Sequence, residues 1–144
     1  MSIHIQNRQR SISIKTPVVK KRLCQMMLGL NCAGKELSVV FGSDRLLQEL
    51  NRCYRHQDHP TNVLAFPQAP TYLGEPDAAL LGDVIVSLAV ATREADALQQ
   101  SLEERVVYLL LHGLLHLLGY DHESPAQRRR MEALEKQMLK QCPA

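Results

Sequence analysis

Three of the chain's six histidines, His112, His116 and His122, fall within one run of eleven residues, and their type and spacing suit metal chemistry. Imidazole nitrogen is a frequent ligand for divalent transition metals. His112 and His116 stand four residues apart in the apolar stretch from Val106 to Leu118. Four residues turn a helix by about 400° and advance it by roughly 6 Å, so both rings project from one face and can reach one ion. Gly119 can end that helix in the left-handed conformation glycine adopts cheaply, letting the chain turn back to present His122. Three imidazoles converging on one point suit a single zinc ion, with a fourth position left for water. Spacing alone does not select zinc over nickel or copper, which bind imidazole as tightly or more tightly.

A lone histidine in an apolar helix is more often a satisfied core residue than a ligand. Here two stand on a helix that otherwise rejects polar groups, where unpartnered imidazoles would cost free energy. The clustering therefore points to metal. His4, His56 and His59 lack such geometry and read as surface or structural residues. The motif is not the H-E-x-x-H of metalloproteases, because Gly113 occupies the position of the general-base glutamate. A peptidase is disfavoured accordingly. The glycine also removes a side chain beside the ion, which could admit a bulky substrate.

The elements that must position these residues follow from periodicity and punctuation. Ser2 to Ile14 alternates in stretches as a half-buried strand. Thr16 then reads as an N-cap with Pro17 at the first helical position, opening an amphipathic helix through Val19, Leu23, Met26, Met27 and Leu30 to about Asn31. Leu37, Val39 and Phe41 alternate as a strand, and Ser43 and Asp44 cap a helix to about Tyr54. Thr61 to Phe66 predicts a short strand closed by Pro67, Gln68 to Asp77 a loop, Leu80 to Ser87 a buried strand, and Leu88 to Leu98 a helix. Ser101 and Glu104 form a capping box before the histidine helix, and Ser124, Pro125 and Gln127 open a last helix. The mixture predicts one α+β domain over residues 1–144, a small mixed sheet packed against helices around a central apolar helix.

Composition bounds the rest. A chain of 144 residues buries roughly 68–70% of its unfolded surface and folds without staples. Cys24, Cys32, Cys53 and Cys142 have irregular spacings and read as reduced, mostly buried thiols. No apolar run approaches the roughly 18 residues of a membrane span, and the polar start lacks a signal-peptide core, so the expectation is a cytoplasmic protein. The formal charge of +2 implies no partner, but Arg8, Arg10, Lys15, Lys20, Lys21 and Arg22 open the chain with no acid among them, a basic surface that could meet phosphates.

The run His112-Gly113-Leu114-Leu115-His116-Leu117-Leu118-Gly119-Tyr120-Asp121-His122 resembles the H-G-x-L-H-L-x-G-Y-D-H signature of the bacterial YbeY family of rRNA-maturation endoribonucleases. Leu50 to Arg55, leading through Asp58, Pro60 and Thr61 to Phe66-Pro67, resembles the family's second motif, and Leu81 to Ser87 its strand motif. Two positions depart: Asn62 stands where the family usually has aspartate, and Ala65 where it usually has serine. If that aspartate orients a ligand or a substrate group, the amide keeps a hydrogen bond and removes a charge.

The resemblance implies a zincin-like arrangement of two ligand histidines on one helix. It implies a metal-dependent endoribonuclease of single-stranded RNA, linked to 16S rRNA 3′-end maturation and ribosome quality control on the small subunit. His112, His116 and His122 then hold the metal, with His112 also part of the catalytic centre. The family match places Arg55 at the cleft, where a guanidinium could hold a phosphate by two hydrogen bonds; a helix-terminal arginine that satisfies the last carbonyls is the plainer alternative. Asp121 suits a supporting role or a turn cap better than a ligand. Zinc can activate water near neutral pH or act as a Lewis acid on a phosphoryl oxygen, and Asp121, another carboxylate or the RNA 2′-hydroxyl could share the proton handling. Aromatics make up only 4% of the chain, so recognition should be mainly electrostatic, with Arg128, Arg129 and Arg130 as further candidates. Two other readings stand beside this one: a ribosome-assembly factor whose metal is structural, and a zinc hydrolase of a non-RNA substrate such as a peptide.

Overall fold

The computed structural model describes residues 2–57, 61–67, 80–120 and 124–142. Along the chain these form β1 (Ser2–Asn7), α1 (Thr16–Gly29), β2 (Glu36–Gly42), α2 (Asp44–Arg55), β3 (Val63–Pro67), β4 (Leu80–Ser87), α3 (Leu88–Leu98), α4 (Leu102–Leu117) and α5 (Pro125–Gln141). The strands make one mixed sheet in the order β1-β2-β4-β3. β1, β2 and β4 run parallel, and β3 pairs antiparallel with β4, from Val63 opposite Val86 to Pro67 opposite Gly82. The α+β expectation holds, and among the described residues no helix is long and apolar enough to cross a membrane.

Side-chain alternation divides the sheet into two faces. Leu37, Val39 and Phe41 of β2 and Val84 and Val86 of β4 join the main core with α1, α3, α4 and α5. Val40, Ile85, Leu64 and Phe66 point the other way and pack with Leu46, Leu47 and Leu50 of α2. α4 is the centre of the thicker layer: Val106, Val107, Leu109, Leu110, Leu111, Leu114 and Leu115 are all buried. Its start is the expected capping box, with Ser101 Oγ accepting the Glu104 N–H at 3.1 Å and Glu104 Oε1 accepting the Ser101 N–H at 3.2 Å. Gly119, at φ +97°, supplies the left-handed residue after its last turn. The reciprocal box at Ser124 and Gln127 opens α5 as expected.

Several boundaries differ from the sequence reading. β1 stops at Asn7 rather than running to Ile14 because it has reached the end of its partner, with Asn7 opposite Phe41. Gln9 then bonds both the carbonyl and the N–H of Ile12, a local turn that competes with strand extension, while Ile12 and Ile14 still pack on the core. α1 begins one residue early: Lys15 is the cap, makes no side-chain cap bond, and donates its backbone N–H to Glu103 Oε2 at 3.0 Å. That tertiary tie to the first turn of α4 overrides Thr16 as cap. The cysteines are free, but only Cys32 and Cys142 are buried, and Cys53 is exposed. Burial pushes the Cys32 thiol above its ordinary value, against the opposing charge of Lys35, so it stays protonated near neutrality. The expected loop from Gln68 to Asp77 lies outside the described residues.

Candidate metal and nucleic-acid site

The outer edge of β3, the end of α2 and the second half of α4 enclose a cleft of about 650 Å³. His112, His116, Arg55, Asn62 and Tyr120 are among the side chains that line it. His112 and His116 meet edge to face with ring centroids 4.8 Å apart and planes 76° apart. The expected common face of the helix is therefore real, and both rings open on the same cavity. His122 and Asp121, the remaining residues of the signature, lie outside the described residues, as do Asp58, His59, Pro60 and Tyr72. Among the described residues no group of three histidine, cysteine or acidic side chains is placed to hold an ion. His4 is exposed on β1, and His56 caps α2 in the left-handed conformation at φ 56°.

Gly113 has a packing cause. A Cβ there would lie 2.7 Å from Val84 Cγ1, closer than real side chains come, so the helix can approach β4 only without one. This corrects the notion that the glycine makes room for a bulky substrate: the space its missing side chain frees is filled by Val84. It also explains why a general-base glutamate does not occupy the position. Gly82 plays the matching part in the sheet, at φ +149° with its missing Cβ directed at the Phe66 carbonyl.

Behind the histidines the polar groups form a chain of contacts. Asn62 Nδ2 donates to Glu94 Oε2 at 3.1 Å, and Arg105 Nε donates to Glu94 Oε1 at 2.9 Å. The Arg105 guanidinium lies 4.6 Å from the centre of the Tyr108 ring, which stacks at 6.3 Å on His112. Burial, with the Glu135 charge next, pushes the Tyr108 phenol above its ordinary value. Glu135 Oε2 in turn lies 3.3 Å from His112 Nδ1. Sequence reasoning missed Glu135. The signal was an acid spaced four and three residues from Met131 and Met138, inside the buried stripe of α5.

The departure at Asn62 has a local reason: its amide donates to a carboxylate, which an aspartate could not do. Arg55 Nη2 donates to the Ala65 carbonyl at 3.3 Å, which holds the exposed arginine along the strand edge and on the cleft. Arg22 leaves the expected basic surface, because it is buried and its Nε donates to the Cys142 carbonyl at 3.0 Å. Arg8, Arg10, Lys15, Lys20 and Lys21 are exposed, as are Arg128, Arg129 and Arg130 on α5. Of the aromatics, Tyr120 is 39% exposed at the cleft, and Tyr54 packs edge to face on Phe66 at 5.4 Å.

Comparison with known proteins agrees over nearly the whole chain. The family model for endoribonuclease YbeY matches residues 4–143. A protein named endoribonuclease YbeY from Geobacter metallireducens is 44% identical over 141 residues, covering 96% of this chain and 94% of the relative. One of the same name from Syntrophotalea carbinolica is 39% identical over 139 residues, 95% of this chain and 93% of the relative. A Rhizobium etli relative is 43% identical over 74% of this chain and 62% of its own length. The solution structure of a Thermotoga maritima protein superposes with a TM-score of 0.60 at 22% identity, over 96% of this chain and 90% of that one, and so shares the fold. With a family-model match from residue 4 to residue 143 and a relative 44% identical over 96% of this chain, the chain belongs to the endoribonuclease YbeY family.

Proposed function

We propose that the chain is a metal-dependent endoribonuclease of single-stranded RNA, acting in the cytoplasm in 16S rRNA 3′-end maturation and ribosome quality control. The observation that carries this reading is the pair of imidazoles, 4.8 Å apart on a buried helix, opening on a cleft that Arg55 also lines. The donor set suits one divalent transition metal, zinc in the first instance, held by His112, His116 and His122. Such an ion supplies Lewis-acid activation of water and of a phosphoryl oxygen. Relatives named endoribonuclease over 93–94% of their own length support an RNA substrate.

The chain's own groups do the remaining work. Arg55 carries five N–H donors in a planar fork, and the contact with Ala65 engages one of its nitrogens, so the guanidinium can meet a phosphate at the cleft edge. Gly113 provides no base, so Asp121, another carboxylate or the RNA's own 2′-hydroxyl shares the proton handling. Few aromatics face the cleft, and affinity comes mainly from phosphate contacts by Arg55 and the exposed arginines of α5, with Tyr120 a stacking surface for one base.

The test is cleavage of a labelled single-stranded RNA by the wild type, His112→Ala and Arg55→Ala, with metal content measured on each. The expected result is that His112→Ala loses metal and cutting, while Arg55→Ala keeps metal and loses cutting. Equal cutting by all three would mean a contaminating nuclease and leave an assembly factor with a structural metal as the better reading. Cutting of a peptide but not of RNA would mean a different hydrolase.

A further inference from the structure

Glu135 is 3% exposed on the inner stripe of α5, between Met131 and Met138. Carboxylates are almost never buried to this extent unless paired, because losing hydration costs more than packing returns. An apolar residue of similar size would fill the same place without that cost. The fold therefore does not need a charge here, and its partners show what does.

Tyr108 and His112, from one face of α4, face the carboxylate across a small cavity. The Tyr108 ring lies beneath the Arg105 guanidinium, itself tied to Glu94 at 2.9 Å. Four residues on, His112 presents Nδ1 at 3.3 Å from Oε2. A carboxylate only accepts hydrogen bonds, so this contact puts the ring hydrogen of neutral His112 on Nδ1 and makes Nε2 its acceptor nitrogen.

We propose that Glu135 is a positioning residue that sets the tautomer and ring orientation of His112 and so makes Nε2 the nitrogen His112 offers to a divalent cation. Buried carboxylates of this kind tune ligand histidines in many metal sites, and their loss weakens metal binding by about 10- to 100-fold. The zinc arm of the test rests on the proposed function; the tautomer belongs to the chain itself.

The experiment uses the full chain with ¹⁵N-labelled histidine, as wild type, Glu135→Leu and Glu135→Gln. Long-range ¹H–¹⁵N spectra of metal-free protein, taken above the imidazole titration, should show His112 protonated on Nδ1 in the wild type and shifted toward the Nε2–H form in Glu135→Leu. Zinc affinity, measured by competition with a chromophoric chelator, should fall by about 10- to 100-fold in Glu135→Leu. It should fall less in Glu135→Gln, whose amide oxygen still accepts. The melting temperature of metal-free Glu135→Leu should be lower, because removing the carboxylate alone leaves the His112 Nδ1–H without its acceptor. Unaltered tautomer and zinc affinity in Glu135→Leu would overturn the proposal. If that variant does not fold, wild-type zinc affinity in Glu135→Gln would overturn it equally. A wild type that binds zinc no better than His112→Ala would refute the metal reading, and the tautomer spectra would then decide the positioning role alone.

Discussion

The two walls of the cleft differ in construction. One is α4, with eight buried residues between Val106 and Leu115 around its histidines and a polar chain from Glu94 to Glu135 behind them. The other is an exposed helix end and an edge strand, where Arg55 donates to the Ala65 carbonyl at 3.3 Å. A ligand must hold its angle to within a fraction of an ångström, which packing on every side can enforce. A group that receives a flexible phosphate backbone needs reach and charge, which a solvated arginine retains. The comparison teaches that precision and reach are assigned to different layers of one small domain.

Substitutions on the two walls should therefore fail differently. On the buried wall, His112→Ala should abolish both zinc binding and cleavage, read by metal analysis and RNA cutting, and chelation of the wild type should reproduce the loss and added zinc reverse it. On the exposed wall, Arg55→Ala should lower cleavage by about 10²–10³, the usual effect of removing one donor to developing charge. Its stability should stay within about 0.5 kcal/mol of wild type. A large loss of stability in Arg55→Ala would break the contrast, because it would make the arginine structural.

Packing faults come next in size. Gly113→Ala drives a methyl to within 2.7 Å of Val84 Cγ1, and overpacking of that kind costs about 1–3 kcal/mol, offset by about 1 kcal/mol from the better helix propensity of alanine. Urea denaturation should show a net loss, and Val84→Ala in the same chain should recover part of it through coupling between the two sites. Asn62→Asp should cost about 1 kcal/mol by losing the donor to Glu94 and setting two carboxylates together, and Glu94→Gln should restore it. The smallest effect belongs to the exposed arginines of α5. RNA binding by the wild type should weaken as salt rises, and Arg128→Ala, Arg129→Ala and Arg130→Ala should each reduce the salt slope by about 1 or less.

Much of the fold was legible in the residues because its signals are local. The capping boxes at Ser101 and Ser124, the cap at Ser43 and the apolar run of β4 act within four or five residues, and each stands where reading places it. Errors fell where a distant partner intervened. Glu103 moved the start of α1, and the end of β2 stopped β1 at Asn7. Arg22 looked like surface charge until the Cys142 carbonyl, 120 residues away, took it inside.

For the site, the spacing of His112 and His116 determined that they share a helix face, since helical geometry converts four residues into one direction. The resemblance of the segment from Leu50 to Pro67 brought Arg55 to attention without showing what holds it. Tertiary structure alone decided that Gly113 answers to Val84, that Asn62 answers to Glu94 and that a buried carboxylate on α5 backs His112. Helix periodicity is a property of neighbours in the chain, so the sequence carries it openly. Which carboxylate meets which imidazole depends on how separate helices pack, and that is settled only when the core closes.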